Sequence, residues 1–457
     1  VHSPSVRREE LRIIVRHAVT VLAGQLAVMA YGVTDTLVAG RVSSEALAAL
    51  SVGSAIYISV FVALMGVVQA LLPIWAELHG ANRPKALGRS VRQALYLCLF
   101  TITAGVAVLL FPAPLLRWTQ VPPALQAEVA HYLAVLALAL PAALLFRGFS
   151  TLNQALGKPV LVTWIQIGSL AAKIPLSMLL AFGWPALGIP AMGLAGCAWA
   201  TVVISYCMLA LAIWLVRGAD LYRPYRIWKR PEPPDWKALG GFVRLGVPTA
   251  LSITVEVTSF TLMALFIARM GTTAAASHQI ASNMSAVLYM MPLSLGVATS
   301  ARTSFWLGAG DGARARLAMW SGFRLMLLLA ATLACAVWLF RESIAHVYAA
   351  GRPEVVALAA SLLGWVALYH AADAVQALCA FLLRCWRIAI STFVIYGVLL
   401  WGLGLGGGYL LAYRGLGPWP AMQHPSAFWM AGSLSLALTA LVFVLMLLRV
   451  SRRPPPA

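Results

Sequence analysis

Long apolar runs separated by short polar stretches recur twelve times along the chain, at about 14–39, 47–76, 91–113, 127–151, 159–183, 192–216, 241–268, 276–304, 318–340, 355–383, 388–412 and 426–449. A helix rises about 1.5 Å per residue and a bilayer core is about 30 Å thick, so each run is long enough to span a membrane as a helix. Residues of 184–196 between the fifth and sixth runs, WPALGIPAMGLAG, are Gly- and Pro-rich and read as a short turn. The polar, Pro-rich stretch RGADLYRPYRIWKRPEPPDWKALGG separates the sixth run from the seventh and reads as a linker. The tail SRRPPPA is too polar to insert. The pattern predicts an all-α polytopic membrane protein with twelve transmembrane helices.

Composition agrees with that class. Of 457 residues, 61% are hydrophobic and 10% charged, whereas soluble domains carry about 25% charged residues. The net charge of +19 could suggest a nucleic-acid partner, but its distribution points elsewhere. With the N-terminus cytoplasmic, the inner loops collect Arg7, Arg8, Arg12, Arg16, Arg83, Lys85, Arg89, Arg92, Lys158 and the basic cluster from Arg217 to Arg244. They also collect Arg302, Arg314, Arg316, Arg324, Arg384, Arg387, Arg449, Arg452 and Arg453, while the outer side keeps Arg41, Arg117, Arg269, Arg341, Arg352 and Arg414. That asymmetry is the positive-inside pattern, repeated loop after loop. It predicts both termini in the cytoplasm and no nucleic-acid partner. The six cysteines show no metal spacing, and no loop holds a pair, so neither zinc nor a disulfide is expected. The opening VHSPSVRREELR has no apolar core before a small-residue site, so no cleavable leader is expected there.

A shift of 228 residues aligns Gly40–Gly53 with Ala268–Ala281 and, without a gap, His79–Ala86 with Leu307–Arg314. Loops fall on loops and a Gly-Ala turn on a Gly-Ala turn. Each half holds an even number of spans, so both enter from the same side. The halves are then parallel repeats, two six-helix lobes related by a pseudo-two-fold axis along the membrane normal. The expected division is an N-terminal lobe at 1–216, a cytoplasmic linker at 217–238, a C-terminal lobe at 239–450 and a cytoplasmic tail at 451–457. Two parallel lobes around a central cavity suit a transporter.

Fourteen acidic residues are present, and three of them, Asp35, Glu256 and Asp373, lie within the predicted spans. Glu256 stands midway between Arg244 and Arg269 and so close to the midplane. A carboxylate there is costly unless paired, solvated or protonated, which marks it as a functional candidate. Tyr369 precedes Asp373 by four residues, so phenol and carboxylate share a helix face. With Glu256 they offer an oxygen-rich site for a proton or for a monovalent metal cation such as sodium, held by Glu256 and Asp373. Asp35 lies about two turns from Arg41, in the outer half of the first lobe. Lys173, far from the inner face, needs a partner, and Asp35 is the acid available within the first lobe's spans. Arg147 either faces a cavity or ends the fourth span. His278 and His370 are open to two readings, histidines satisfied by packing or proton shuttles.

VTDTLVAGRVSSEALAALSVG and LPIWAELHGA in the first half, and GVPTALSITVEVTSF, AASHQIASNMSAVLYMMPLSLGVATSARTSFWLGAG and YHAADAVQALCAFLLRC in the second, resemble the multidrug and toxic compound extrusion (MATE) transporters, NorM-like bacterial branch. The similarity runs over essentially all twelve spans and includes the polar motif residues His278, Gln279 and Asn283. It implies export of amphipathic, often cationic compounds, coupled to Na+ or H+, by rocking of two lobes. It implies a cation site at the residues matching Glu256, Tyr369 and Asp373. It also implies a first-lobe proton network around Asp35. There the family's Asn-Ile-Pro-Leu-Asn motif reads Lys173, Ile174, Pro175, Leu176 and Ser177, and the family's threonine is matched by Thr201.

The expectation is therefore a cation-coupled multidrug antiporter of the inner membrane. It is not an enzyme, has no cofactor beyond the coupling ion, and is a monomer whose partners are amphipathic small molecules and the bilayer. A flippase for a lipid-linked or amphipathic substrate has the same two-lobe design, but a pyrophosphate-binding cavity would carry several cations. No HExxH, GxSxG or paired catalytic-acid motif supports an intramembrane enzyme.

Overall fold

The structure, a computed structural model, describes residues 4–118, 122–415, 417–418 and 420–452. Arg453 and the rest of the expected tail lie outside the described residues. Twelve helices are long and apolar enough to cross a membrane: α1 (Pro4–Val42), α2 (Ser44–Gly80), α3 (Pro84–Leu110), α4 (Pro123–Ala155), α5 (Val160–Phe182), α6 (Leu194–Gly218), α7 (Trp236–Ala268), α8 (Thr272–Gly308), α9 (Gly312–Ala349), α10 (Pro353–Cys385), α11 (Ile390–Arg414) and α12 (Ser426–Val450). Each overlaps one predicted run. No β-strand occurs among the described residues, and an isolated bridge between Trp184 and Ile189 closes the turn before α6.

Two of the helices are less regular than their apolar pattern suggests. α2 breaks at Ala70 and Leu71, with Pro73 in the first turn of the following segment; proline offers no N–H and its ring crowds the carbonyl four residues back. α11 contains π-helical stretches at Val398–Gly406 and Leu410–Arg414. Its Gly-rich face lies close on α12: a Cβ added to Gly408 would stand 2.8 Å from Phe428 Cδ1. Small residues allow such approach where apolar surface gains nothing by leaving lipid.

The helices pack into two compact units, one formed by 20–250 and the other by 1–19 with 251–457. These differ from the repeat halves expected from the sequence, because both boundaries fall inside the first helix of a half, α1 and α7. In the 20–250 unit the core centres on α4, whose Leu133, Leu136, Leu140 and Leu144 are buried with Leu50 of α2 and Ala198 of α6. In the other unit it centres on α10, where Leu362, Leu363, Val366 and Leu378 join Leu295, Phe428 and Phe443. Burial sorts the helices. The most apolar window of α8 is 67% buried and that of α9 only 17%, so α8 is an inner helix and α9 an outer one. Outer helices show large apolar side chains such as Phe100, Trp214 and Leu339, as a lipid-facing surface requires.

The inter-lobe linker is strapped down. A 3-10 turn, Asp220–Tyr225, buries Tyr222 and Tyr225, and Tyr222 donates its hydroxyl proton to Asn153 Oδ1 at 2.7 Å. Gly88 leaves room for the Tyr225 carbonyl, which any side chain there would strike. Arg92 grips Glu232 through Nε at 2.8 Å and Nη2 at 2.5 Å, and donates to the Arg226 carbonyl at 2.6 Å. Tyr96 donates to the Glu232 carbonyl at 2.9 Å, and Gln93 bonds Pro233 O and Asp235 N. The Arg92 hydrogen bonds hold the Glu232 carboxyl down at about 2.

Candidate cation sites

Four helices of one unit converge on Glu256 and Asp373. Glu256 comes from α7 and is half-buried, while Asp373 comes from α10 and is buried. The two carboxylates interact with each other, and with the phenols of Tyr289 from α8, Tyr369 from α10 and Tyr396 from α11. Gln376, one turn beyond Asp373, donates Nε2 to Asp373 Oδ1 at 2.9 Å. The Tyr369 ring is wedged by Trp429 and Phe260, with centroids 5.3 and 5.9 Å away, which fixes its hydroxyl relative to Asp373.

Among the described residues no lysine or arginine forms an ion pair with either acid. Arg384, further along α10, spends its Nε on the Ala380 carbonyl at 3.1 Å and lies 4.1 Å from the Phe381 ring centroid. The cluster therefore holds two like-charged acids, three phenols and an amide. All are hard oxygen donors toward a cation, of the kind suited to sodium or a proton and not to a soft metal. No group of three His, Cys, Asp or Glu side chains among the described residues is placed to hold a metal ion.

Asp35 has a different environment, within the other unit. Lys173 Nζ of α5 stands 2.9 Å from Asp35 Oδ1 and donates to Thr201 Oγ1 of α6 at 2.8 Å. Thr201 in turn bonds the Cys197 carbonyl at 3.1 Å. Lys173 is wholly buried and Asp35 nearly so. Its ammonium lies 5.8 Å from the Tyr31 ring centroid, and Tyr31 bonds Ser169. Ser177, also buried, adjoins Asp35. The four residues of the expected first-lobe network thus come together, with the lysine at their centre.

The remaining polar candidates separate. Gln279 and Asn283 are exposed on α8 and bonded to each other at 3.0 Å. His278 is buried, its Nε2 paired with Ser282 Oγ at 3.2 Å and its ring set 5.8 Å from the Trp429 ring, while its Nδ1 has no partner. His370 is buried beside the site helix face. α4 continues past Arg147 to Ala155, and the Arg147 side chain is buried. Tyr289, Tyr396 and Gln376 are site residues that sequence reasoning missed. Gln376 had a signal, one turn from Asp373 on the same helix. The two tyrosines had only that of a phenol inside an apolar span.

Twelve spans, two helical packing units and an acid-lined polar site inside one of them define a polytopic membrane protein with the build of a carrier. Residues 21–179 and 248–410 match the MatE family. The probable multidrug resistance protein NorM of Aromatoleum aromaticum is 36% identical over 441 residues, covering 96% of this chain and 94% of that protein. Multidrug resistance protein PmpM of Pseudomonas aeruginosa is 34% identical over 448 residues, covering 98% and 93%. Among solved structures, the eukaryotic MATE transporter AtDTX14 has a TM-score of 0.86 at 18% identity, over 97% of this chain and 96% of that one. The Vibrio cholerae MATE transporter VcmN in the bent form has a TM-score of 0.85 at 15% identity, over 98% of each. The chain belongs to the MatE family and is a NorM-like member of it.

Proposed function

We propose that this protein is a secondary active multidrug exporter of the inner membrane, with both termini cytoplasmic. It exchanges Na+ or H+ for amphipathic, often cationic compounds by alternating access of its two repeat halves, 1–216 and 239–450. It is a transporter, makes no covalent change in its cargo and works as a monomer. The names of the relatives, multidrug resistance proteins, support the substrate class.

The observation that carries the coupling is the pair of acids Glu256 and Asp373, set among phenols with no basic partner. Such a pair lacks a positive charge that a cation, or a cationic drug, can supply. Ion and drug then compete for the same carboxylates, and each shifts the carrier only by its difference in affinity between the two access states. One charge crossing 100 mV gains about 2.3 kcal/mol. At 1.4 kcal/mol per factor of ten, that supports roughly fifty-fold accumulation of a neutral cargo per ion.

The test is efflux of a fluorescent cationic dye from vesicles holding the purified protein, driven in turn by a sodium and a proton gradient. Glu256→Gln and Asp373→Asn each abolish gradient-driven efflux while leaving the protein folded. Undiminished efflux in both variants would remove the ion site from these residues.

A further inference from the structure

α4 carries a second polar feature, used by neither acid site. Arg147, Thr151 and Gln154 stand at i, i+4 and i+7 and so share one side of the helix. They are 6%, 0% and 3% exposed. Each has a buried polar atom without a protein partner: Nε and Nη2 of Arg147, Oγ1 of Thr151 and Oε1 of Gln154. The amide nitrogen of Gln154 goes to Ser150 Oγ at 3.2 Å. Gln69 of α2, 3% exposed, has an unpartnered Nε2 as well. Gly148 faces Val68, with a built Cβ 3.9 Å from its γ-methyl, so Gln69 and Arg147 lie at one level where α2 and α4 meet. Toward the Lys158 end, Gln154 lines a small recess, with room for about one water, together with Gln25, Thr163 and Gln166.

Charge decides what this face is for. A guanidinium stays protonated in proteins, so Arg147 is a fixed positive charge within a span. Asp35, the acid inside the spans of the same unit, is already taken by Lys173 at 2.9 Å, and the unit's other acids stand at helix ends or in loops. Water can satisfy the unused N–H groups of Arg147 and Gln69 but cannot neutralise the charge, and a buried charge without a counter-charge is costly. Among the described residues no acid forms an ion pair with Arg147, which leaves the counter-charge to a ligand.

We infer that Arg147, with Gln69 and Thr151 as neutral donors, forms a binding site for a small singly charged anion. The ligand is a free inorganic anion such as chloride or the carboxylate of an amphipathic compound. This site does not depend on the coupling reading, since it uses none of the residues of the cation cluster.

The experiment measures thermal unfolding of the purified full chain at constant ionic strength while chloride replaces methanesulfonate. The wild type gains stability saturably with chloride. Arg147→Gln loses the dependence, and Arg147→Lys keeps part of it. Should Arg147→Gln fail to fold, Thr151→Val and Gln69→Leu report the same loss in weaker form. A parallel titration compares an amphipathic carboxylate with its methyl ester. Protection by the carboxylate alone, competed by chloride, assigns the site to a cargo group; protection by chloride alone assigns it to a free counter-ion. A wild type insensitive to both anions, or chloride dependence unchanged in the variants, overturns the site.

Discussion

Asp35 and the Glu256–Asp373 pair are both buried carboxylate sites within spans, yet their charge balance is opposite. Asp35 has its counter-charge built in, because Lys173 reaches it at 2.9 Å and is itself held by Thr201. Glu256 and Asp373 interact with phenols and an amide and, among the described residues, form no ion pair. The first arrangement is complete as it stands. The second becomes neutral only when a cation arrives, from solution or as part of a cargo. In one chain, the same residue type stands once in a paired arrangement and once in an unpaired one, the arrangement that a cation-binding role requires. The deciding difference is Lys173, which has no counterpart among the ion pairs of the second site.

The comparison breaks most sharply at Lys173. Lys173→Met leaves Asp35 buried without a partner, and removing one member of a buried pair costs about 3–5 kcal/mol. Thermal unfolding of the purified variant should show that loss, and Lys173→Met with Asp35→Asn should recover most of it. Glu256→Gln in the same assay should cost under about 1 kcal/mol or stabilise the protein, since it relieves a like-charge contact. Equal losses in Lys173→Met and Glu256→Gln would erase the distinction.

A finer probe is Gln376. Its amide donates to Asp373 Oδ1, and hydrogen bonds to charged groups contribute about 1.5–3 kcal/mol. Gln376→Leu should shift the half-saturating concentration of the coupling cation for efflux roughly tenfold, at 1.4 kcal/mol per decade, with little change in the maximal rate. The shift is downward for a proton, because a carboxylate without that hydrogen bond is protonated more readily, and upward for sodium, with which that proton competes. An unaltered half-saturation would show that Asp373 does not bind the ion as a carboxylate.

The smallest effect belongs to the ion pair outside the membrane. Glu232 is held at about 2 by Arg92. A carboxyl lowered on folding stabilises the strap fully above its unfolded value near 4.3, and the contribution fades as pH falls toward 2. Arg92 is buried but Glu232 keeps 29% of its side chain exposed, so solvent screens the pair, and Glu232→Gln, whose amide oxygen can still accept from Arg92, should move overall stability at pH 7 only slightly. Amide exchange across 222–235 is the sensitive readout. It should accelerate between pH 4 and 2 in the wild type and be fast and pH-insensitive, beyond the intrinsic exchange rate, in the variant.

The fold was legible because a bilayer imposes length and hydropathy directly on the sequence. All twelve spans followed from apolar runs. The Lys173–Asp35 pair was legible as well, because a buried lysine must find an acid and only one stood within reach. Tyr369 and Asp373 were joined by helical spacing. Tyr289 and Tyr396 were not, since periodicity says which residues share a face of one helix but not which faces of neighbouring helices meet. The π turns of α11 were equally hidden: GLGLGGG permits close packing but does not state the hydrogen-bond step. The packing units differed from the repeat halves because a repeat boundary follows ancestry along the chain, whereas a packing unit follows contacts that divide α1 and α7.

The strapped linker has a practical consequence. Tyr222, Tyr225 and Arg226 are held upstream, and Glu232, Pro233 and Asp235 downstream, by residues of the same unit. Lys229 and Arg230 between them are exposed, and the bond joining them offers trypsin a cleavage point, whereas the bond after Arg230 is shielded by Pro231. A cut there severs the chain but frees neither end, so the nicked protein should migrate as two bands in denaturing gels and as one particle in detergent. The same point is a natural place to insert an affinity tag, or to divide the coding sequence into two separately expressed pieces.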